Sequence, residues 1–143
     1  IDSKDFIFFS NFNSNKAKEI QNNSSVAINF FWNTIGIQIR IEGEISKVED
    51  SYSDKHWHSR KKEKNALSIS SDQSSPIGSY HDVKLMFDNV MTNQSELIRP
   101  SYWGGYSISP HSFEFWQGHK NRINKRELYT LESGIYQKSI LQP

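Results

Sequence analysis

Two adjacent segments constrain the fold of this chain more than any other part of it. Residues 25–32 form a nearly continuous apolar run, which is typical of a strand buried on most of both faces. After the turn-forming residues 33–36, isoleucines alternate with polar or charged residues, at Ile37, Ile39, Ile41 and Ile45. Two long strands joined by so short a turn predict an antiparallel hairpin, the expected start of a β-barrel.

The chain begins abruptly with a strand. Residues 5–10 are apolar and β-prone, with no earlier strand to begin a sheet, so we expect an N-terminal segment to be missing. Ser14 is a suitable N-cap for a short helix, and Lys16 would lie in the first turn of that helix. A lysine beside free helix N–H groups favours a phosphate site, although a solvated surface lysine fits the sequence equally well.

Two helices are predicted between the first hairpin and the C-terminal strands. Residues 49–59 form the first helix. The charged residues 60–64 are more typical of a solvated surface than of a phosphate-binding patch, and residues 68–76 form a Ser-rich loop. Residues 79–93 predict an amphipathic helix whose apolar residues belong to the core, at Val83, Met86, Phe87 and Val90.

Strand patterns return after the second helix. Residues 102–109 and 112–117, separated by Pro110, predict a second hairpin. Residues 125–131 and 134–141 predict a third one. The order of strand, helix, two strands, helices and four strands indicates an α+β fold whose mostly antiparallel sheet closes into a barrel.

Composition excludes several classes of protein. A chain of 143 residues is most economically one domain, here residues 1–143. With no Cys it forms neither disulfides nor a Cys-ligated metal site, and the formal net charge of +1 argues against a nucleic-acid binder. The five histidines show no ligand spacing, so we predict no metal. Without an apolar run of membrane-spanning length or a signal-peptide pattern, we expect no membrane association and a cytoplasmic location.

The C-terminal strands contain the segment that most directly indicates a ligand. Phe113, Phe115 and Trp116 form an aromatic strand that Gly118 ends. Three cations follow within a short stretch: Lys120, Arg122 and Arg126. An aromatic wall beside guanidinium groups suits a ligand with a planar ring and an anionic group. The alternative is an edge strand followed by a solvated basic loop.

Several sequence segments, taken together, resemble those of the pyridoxamine 5'-phosphate oxidase family of flavoproteins. The resemblance extends from about Phe6 to Pro143. Its matching segments are Ser14-Asn15-Lys16, Asn22-Asn23, Gln38, His58-Ser59-Arg60, Gln73-Ser74, Trp103-Gly104-Gly105, Glu114-Phe115-Trp116-Gln117-Gly118 with Arg122 and Arg126, and Leu141-Gln142-Pro143. It implies a split β-barrel with flanking helices, an obligate homodimer, and one FMN in each of two sites at the dimer interface.

The resemblance also implies site residues, carried over by position. The cofactor-binding residues would be Phe9, Ser10, Asn15, Lys16, Gln38, Gln73, Ser74, Trp116 and Arg126. The substrate-binding residues would be His56, Arg60, Lys64, Arg122, Ile123 and Asn124, with Arg122 and Asn124 catalytic. Five positions depart from the family pattern: Asn15 replaces an arginine, His56 a tyrosine, Lys64 a serine, Ile123 a leucine, and Asn124 a histidine. An upstream strand that supplies flavin and phosphate contacts in the family is missing from this sequence.

The activity that the resemblance implies is the oxidation of pyridoxamine or pyridoxine 5'-phosphate to pyridoxal 5'-phosphate, with O2 reduced to hydrogen peroxide. One alternative is a flavin-binding protein of the same fold that has lost its oxidase activity. Another is an oxidase or reductase for a different substrate, as in the phenazine-biosynthesis relatives. The segment Trp103-Gly104-Gly105 favours the vitamin oxidase over those relatives.

Overall fold

A computed structural model describes residues 5–143 as strands and helices that divide into two compact units. The elements, in chain order, are β1 Phe6–Asn11, α1 Asn15–Asn22, β2 Ser25–Trp32, a 3-10 turn at Asn33–Ile35, β3 Ile37–Lys47, α2 Asp50–Ser59, α3 Lys62–Ser70, α4 Tyr80–Asn93, β4 Trp103–Gln117, β5 Lys125–Glu132 and β6 Ile135–Ile140. The strand unit comprises residues 5–6, Ser24–Ile45 and Ile108–Pro143. The helix unit comprises Ile7–Asn23 and Ser46–Ser107. That the chain is one domain remains a prediction.

The sheet follows the order β2-β3-β4-β5-β6, and β1 pairs with β4. Strands β2 and β3 form the predicted antiparallel hairpin, with Trp32 opposite Ile37 and Ser25 opposite Glu44. Gly36 closes its turn at a φ of 62°, in the left-handed region that a residue without a Cβ adopts at little cost. The first hairpin is therefore confirmed.

Burial along this hairpin agrees with the prediction for β3 but not for β2. Ile41 and Ile45 of β3 are buried. Strand β2 was predicted to be buried on most of both faces, which is wrong: Phe30, Phe31 and Trp32 are 40%, 54% and 44% exposed. An apolar run indicates that a strand prefers burial, but the burial of its faces depends on what packs against them. Among the strands that the structure describes, β2 ends the order of the sheet and pairs with β3.

Strand β4 is continuous where a second hairpin was predicted. It runs through Pro110 without a turn, so that prediction is wrong. The fixed φ of proline fits extended backbone, and a proline also drives the preceding residue towards the β region. Gly43 of β3 lies close to Ser109 and Pro110 of β4. A Cβ added to Gly43 would lie 2.5 Å from the Ser109 carbonyl oxygen. A glycine thus allows β3 to pass close to the proline-containing stretch of β4.

The third predicted hairpin is confirmed. Strands β5 and β6 are antiparallel, with Glu132 opposite Ile135. The two residues between them, Ser133 and Gly134, both have positive φ, at 49° and 83°. Positive φ at both central positions is the pattern of the tight turns that match the twist of paired strands.

The helix unit contains the predicted helices α1, α2 and α4 and an additional one, α3. No periodic signal predicted α3, because it begins in the charged run and ends in the Ser-rich stretch, so the loop predicted from residue 68 starts only after Ser70. Met86 of α4 is 45% exposed, so its prediction as a core residue is wrong, whereas Val90 is buried. Ser79 caps α4 by accepting a hydrogen bond from the Asp82 N–H at 3.2 Å. Ser14 precedes α1, but its hydroxyl donates to the Asn11 carbonyl at 2.8 Å instead of capping the helix.

An aromatic cluster forms the centre of the helix unit, and two adjacent glycines make room for it. Trp57 and Trp103 are buried and meet edge to face, with ring centroids 4.9 Å apart. A Cβ on Gly104 would lie 2.6 Å from Phe12 Cζ, and one on Gly105 would lie 2.6 Å from Val48 Cγ2. The Trp-Gly-Gly segment therefore lets aromatic side chains pack directly on the backbone of β4.

Neither a membrane span nor a metal site is found in the part of the chain that the structure describes. None of the helices within residues 5–143 has the length and apolar character needed to cross a bilayer. The same residues contain no group of three or more His, Asp or Glu side chains arranged to hold a metal ion.

Candidate functional site

The predicted cofactor residues of the helix unit meet at the start of α1. The Ser10 hydroxyl donates to Gln73 Oε1 at 3.3 Å, and the Lys16 ammonium donates to Ser10 Oγ at 3.1 Å. The Asn15 backbone N–H donates to the Ser74 hydroxyl at 3.4 Å. The first turn of α1 contains no acidic residue. A lysine beside the positive end of a helix forms an environment that favours an anion such as phosphate.

A second group of predicted residues surrounds Phe9. The rings of Phe9 and His56 are stacked, with centroids 3.8 Å apart and planes 9° apart. The Phe9 ring is also nearly parallel to that of Trp103, at 5.4 Å. The Arg60 guanidinium lies over the Trp103 ring at 4.5 Å, within the range of a cation–π contact. One predicted cofactor residue and two predicted substrate residues therefore meet at a common aromatic cluster.

Arg60 is held by neutral partners. Its Nη1 donates to Asn65 Oδ1 at 3.0 Å and to Ser68 Oγ at 3.1 Å, while its Nη2 donates to the Lys64 carbonyl at 3.1 Å. Within residues 5–143 it forms no ion pair with a carboxylate. Partial burial lowers the pKa of the Arg60 guanidinium from its ordinary value, but an arginine keeps its charge near neutral pH. Its positive charge is therefore oriented but not compensated.

His56 lies in a positive environment. Burial lowers the pKa of the His56 imidazole, and the charges of Arg60 and Lys64 lower that pKa further. The imidazole is therefore neutral at neutral pH, with one nitrogen that donates and one that accepts. A bound anion would oppose both cationic effects and favour protonation of His56.

One cavity of the helix unit joins the two groups. It has a volume of about 310 Å³, and its lining includes Phe9, Ser10, Arg60, Gln73 and Trp103. Residues predicted for the cofactor and a residue predicted for the substrate phosphate thus face the same space. The remaining predicted residues of this unit are not part of its lining: Asn15, Lys16, His56, Lys64 and Ser74.

The predicted cofactor residues of the strand unit lie on neighbouring strands. Gln38 is opposite Phe31 in the first hairpin, and Trp116 is opposite Arg126 between β4 and β5. Arg126 donates from Nε to Glu114 Oε1 at 2.6 Å and from Nη1 to the Gln142 carbonyl at 3.1 Å. The hydrogen bond to Glu114 raises the pKa of Arg126. Unlike Arg60, this arginine has its charge compensated within its own unit.

The predicted catalytic residues lie in the loop between β4 and β5. Asn124 Oδ1 accepts a hydrogen bond from the His119 N–H at 3.1 Å, and the Arg122 N–H donates to the His119 carbonyl at 2.8 Å. Ile123 is 68% exposed. Arg122 has a φ of 62°, and such left-handed conformations of residues other than glycine are often found at functional sites. Ser74, another predicted site residue, has a φ of 77°.

Sequence reasoning missed the side chains that hold Arg60. Asn65 and Ser68 supply acceptors, and Trp103 supplies the aromatic face. The only available signal was the presence of polar residues five and eight positions after the arginine. That signal has no meaning until the intervening chain is known to turn back as a helix.

Two protein-family models match most of the chain. Residues 1–94 match the model described as "Pyridoxamine 5'-phosphate oxidase", and residues 103–143 match "Pyridoxine 5'-phosphate oxidase C-terminal dimerisation region". The chain belongs to the pyridoxamine 5'-phosphate oxidase family. The family predicted from the sequence is therefore confirmed.

Individual relatives agree with this assignment. The chain is 39% identical over 133 residues to the pyridoxine/pyridoxamine 5'-phosphate oxidase of Rippkaea orientalis, a match that covers 92% of this chain and 63% of that protein. It is 40% identical over 126 residues to the protein of the same name from Bombyx mori, covering 85% of this chain and 49% of the relative. The chain thus spans less than two thirds of either relative.

Solved structures show the fold. PhzG from Burkholderia lata 383, in complex with tetrahydrophenazine-1-carboxylic acid, is 28% identical with a TM-score of 0.86, covering 96% of this chain and 68% of PhzG. A pyridoxamine 5'-phosphate oxidase-related, FMN binding protein from Nostoc punctiforme is 15% identical with a TM-score of 0.77, covering 99% of this chain and 75% of that one. The predicted fold class, an α+β split barrel with a mostly antiparallel sheet and flanking helices, is confirmed.

Proposed function

We propose that this chain binds FMN and oxidises pyridoxamine or pyridoxine 5'-phosphate to pyridoxal 5'-phosphate. The observation that supports this proposal most is Arg60. Its guanidinium is oriented by neutral acceptors, has no carboxylate partner in the described part of the chain, and borders a cavity that Ser10 and Gln73 also line. An uncompensated cation of this kind is suited to a phosphate group.

The residues around α1 fit FMN. Lys16 and the first-turn N–H groups of α1 provide positive charge and donors for a terminal phosphate, and the Ser10 hydroxyl lies within hydrogen-bond distance of the lysine. The Gln73 amide, which accepts from Ser10 and from the Asn11 N–H, is fixed in orientation. When bound, FMN supplies the acceptor for the hydride from the 4' carbon of the substrate and passes electrons to O2, giving hydrogen peroxide.

The chain's own residues bind and orient the substrate. Arg60 anchors the phosphate, and Lys64 adds positive charge near it. Neutral His56 offers a hydrogen-bond donor or acceptor, and it takes up a proton more readily once the phosphate is bound. Arg122 orients the reacting end of the substrate, and Asn124 keeps the loop of Arg122 in place through the His119 N–H.

The remaining cofactor contacts belong to the strand unit. Gln38 supplies an amide that can both donate and accept at the edge of a flavin, and Trp116 supplies an aromatic surface. Arg126 is held by Glu114, so it acts as a positioned donor.

The functional form is a homodimer located in the cytoplasm. The C-terminal residues 103–143 match a dimerisation region. Aromatic residues of the first hairpin are well exposed in the single chain, with Phe31 at 54% and Trp32 at 44%. Exposed apolar patches of this kind mark interaction surfaces. Sedimentation at micromolar concentration should give twice the chain mass, whereas a flavin-bound monomer would refute the dimer.

The substrate assignment is tested by replacing Arg60. Since hydrogen bonds to charged groups contribute about 1.5–3 kcal/mol, Arg60→Ala should raise the KM for pyridoxine 5'-phosphate by roughly 10- to 150-fold. The kcat should change little, because the phosphate is bound alike in the ground and transition states. FMN content should stay normal. Lys61→Ala, a change at the exposed neighbouring cation, is the control and should leave the KM unchanged.

A second candidate is a flavoprotein of the same fold that acts on another substrate. The observation that favours it is the likeness to PhzG, whose structure contains tetrahydrophenazine-1-carboxylic acid. That ligand has a carboxylate and no phosphate. A parent protein that binds FMN but does not oxidise B6 phosphates, and for which Arg60→Ala has no effect on their binding, would favour this alternative or a flavin binder without oxidase activity.

A further inference from the structure

Asn65 is a buried polar residue whose side chain is hydrogen-bonded directly to the Arg60 guanidinium. It belongs to the first half of α3 and is 7% exposed. Its Oδ1 accepts from Arg60 Nη1 at 3.0 Å, and its Nδ2 donates to the Trp57 carbonyl at 3.0 Å. A guanidinium only donates and a carbonyl only accepts, so these two partners fix the orientation of the amide.

The same carbonyl also fixes the backbone of Arg60. Trp57 lies in the last turn of α2, where carbonyls lack helical partners, and its oxygen accepts the Arg60 backbone N–H at 3.2 Å. Asn65 therefore connects the end of α2 to the guanidinium, while the backbone of Arg60 is tied to the same point. Arg60 is held at both ends by one short network.

The chemistry of Asn65 is as important as its position. A neutral amide orients the guanidinium and leaves its positive charge uncompensated. A carboxylate at this position would form an ion pair with Arg60 and reduce its attraction for an anion. Arg126 shows this second arrangement, since it is bound by Glu114.

We infer that Asn65 is a positioning residue for phosphate recognition, which holds the Arg60 guanidinium towards the substrate phosphate without neutralising it. This inference rests on the proposed function of Arg60. Ser68 is the second neutral acceptor, and its hydroxyl also donates to the Lys64 carbonyl at 3.0 Å. Ser68 is only partly buried, whereas Asn65 is buried and its amide is bonded to the end of α2. We therefore assign the larger effect to Asn65.

Two substitutions separate positioning from simple stabilisation. Asn65→Leu keeps the approximate size and removes both hydrogen bonds. Asn65→Asp keeps an acceptor for Arg60, but it loses the donor to the Trp57 carbonyl and adds a negative charge. Both should raise the KM for pyridoxine 5'-phosphate about ten-fold or more, with kcat changed less than about two-fold. A purely structural role predicts that both variants melt at a lower temperature while the folded protein retains the KM of the parent.

The control is Ser70→Ala, which removes another buried polar group from the same helix. The Ser70 hydroxyl contacts the Leu67 carbonyl at 3.4 Å and does not contact Arg60. This variant is expected to change the melting temperature but not the KM. Should Asn65→Leu fail to fold, Asn65→Asp and the control still give the comparison.

A binding measurement makes the test independent of turnover. FMN-loaded parent and variants are titrated with pyridoxal 5'-phosphate and with pyridoxal, which lacks the phosphate. The inference predicts that the preference for the phosphorylated compound falls about ten-fold or more in both Asn65 variants and stays unchanged in Ser70→Ala. An unchanged preference in the Asn65 variants overturns the inference.

Arg60→Ala, measured in parallel, locates the cause of a negative result. If Arg60→Ala abolishes the preference and the Asn65 variants keep it, the inference about Asn65 is wrong and the role of Arg60 stands. If the parent shows no preference for the phosphorylated compound, the proposed function is wrong, and the inference fails with it.

Discussion

Replacing Lys16 tests how the helix unit holds the cofactor. Lys16 lies in the first turn of α1, and its ammonium donates to Ser10 Oγ at 3.1 Å. If this lysine contacts the FMN phosphate, Lys16→Ala removes one charged hydrogen bond from the complex. Such a bond contributes about 1.5–3 kcal/mol, and because Lys16 is exposed, screening by solvent should reduce the loss to about 1–2 kcal/mol. The dissociation constant of FMN should therefore rise roughly 5- to 30-fold.

The assay is a titration of apoprotein with FMN, followed by the quenching of flavin fluorescence. Lys18→Ala is the matched control, because Lys18 is an exposed lysine of the same helix and should leave binding unchanged. Riboflavin, which lacks the phosphate, should bind equally to the parent and to Lys16→Ala. The difference between parent and variant should also narrow as the salt concentration increases. Equal FMN affinities of the two lysine variants would remove Lys16 from the site.

The remaining predictions concern stability. Gly105→Ala would place a Cβ 2.9 Å from Phe9 Cε1 and 2.6 Å from Val48 Cγ2. This overpacking should lower the free energy of unfolding, measured with urea, by roughly 1–3 kcal/mol. Gly78→Ala, which meets only the end of an aspartate side chain at 3.0 Å, should cost much less, and equal costs would contradict the crowding at Gly105. The pKa of His56 is lowered in the folded state, so the unfolded chain takes up the proton first and stability should fall as pH decreases below about 6.5. His56→Tyr should remove that part of the pH dependence in thermal unfolding, and an unchanged profile would refute it.

Local patterns were sufficient to predict most of the strands and hairpins. The alternation of isoleucines in β3 and the turn at Gly36 determine the first hairpin, because a period of two and a left-handed glycine have few other structural interpretations. Ser133 and Gly134 determine the last hairpin in the same way. Pro110 misled the prediction, since a proline is compatible with both a turn and an extended strand.

The features that sequence reasoning missed depend on contacts between distant residues. The apolar run of β2 predicts burial, but whether the faces of a strand are covered depends on what packs against them, and Phe31 and Trp32 are exposed. Helix α3 has neither a clear apolar period nor a side-chain cap, and its stability depends on packing by residues such as Ala66, which is buried.

The residues of the candidate site were predicted from the resemblance to a family. Their geometry was not predicted. Side-chain chemistry explains why Ser10, Lys16 and Gln73 suit a flavin phosphate, and the structure brings the three together. No local pattern indicated that Asn65 orients Arg60, because the contact requires α3 to fold back on the end of α2. The role of each residue in binding remains a prediction.

The central claim is that this chain binds FMN and uses it to oxidise a B6 phosphate. The most direct measurement is anaerobic mixing of the FMN-loaded protein with pyridoxine 5'-phosphate, followed by the visible absorbance of the flavin. We predict that the flavin band bleaches, that it returns when O2 is admitted, and that pyridoxal 5'-phosphate and hydrogen peroxide appear in equal amounts. A flavin band that stays unchanged at saturating substrate, in protein that is folded and fully loaded with FMN, would contradict the claim.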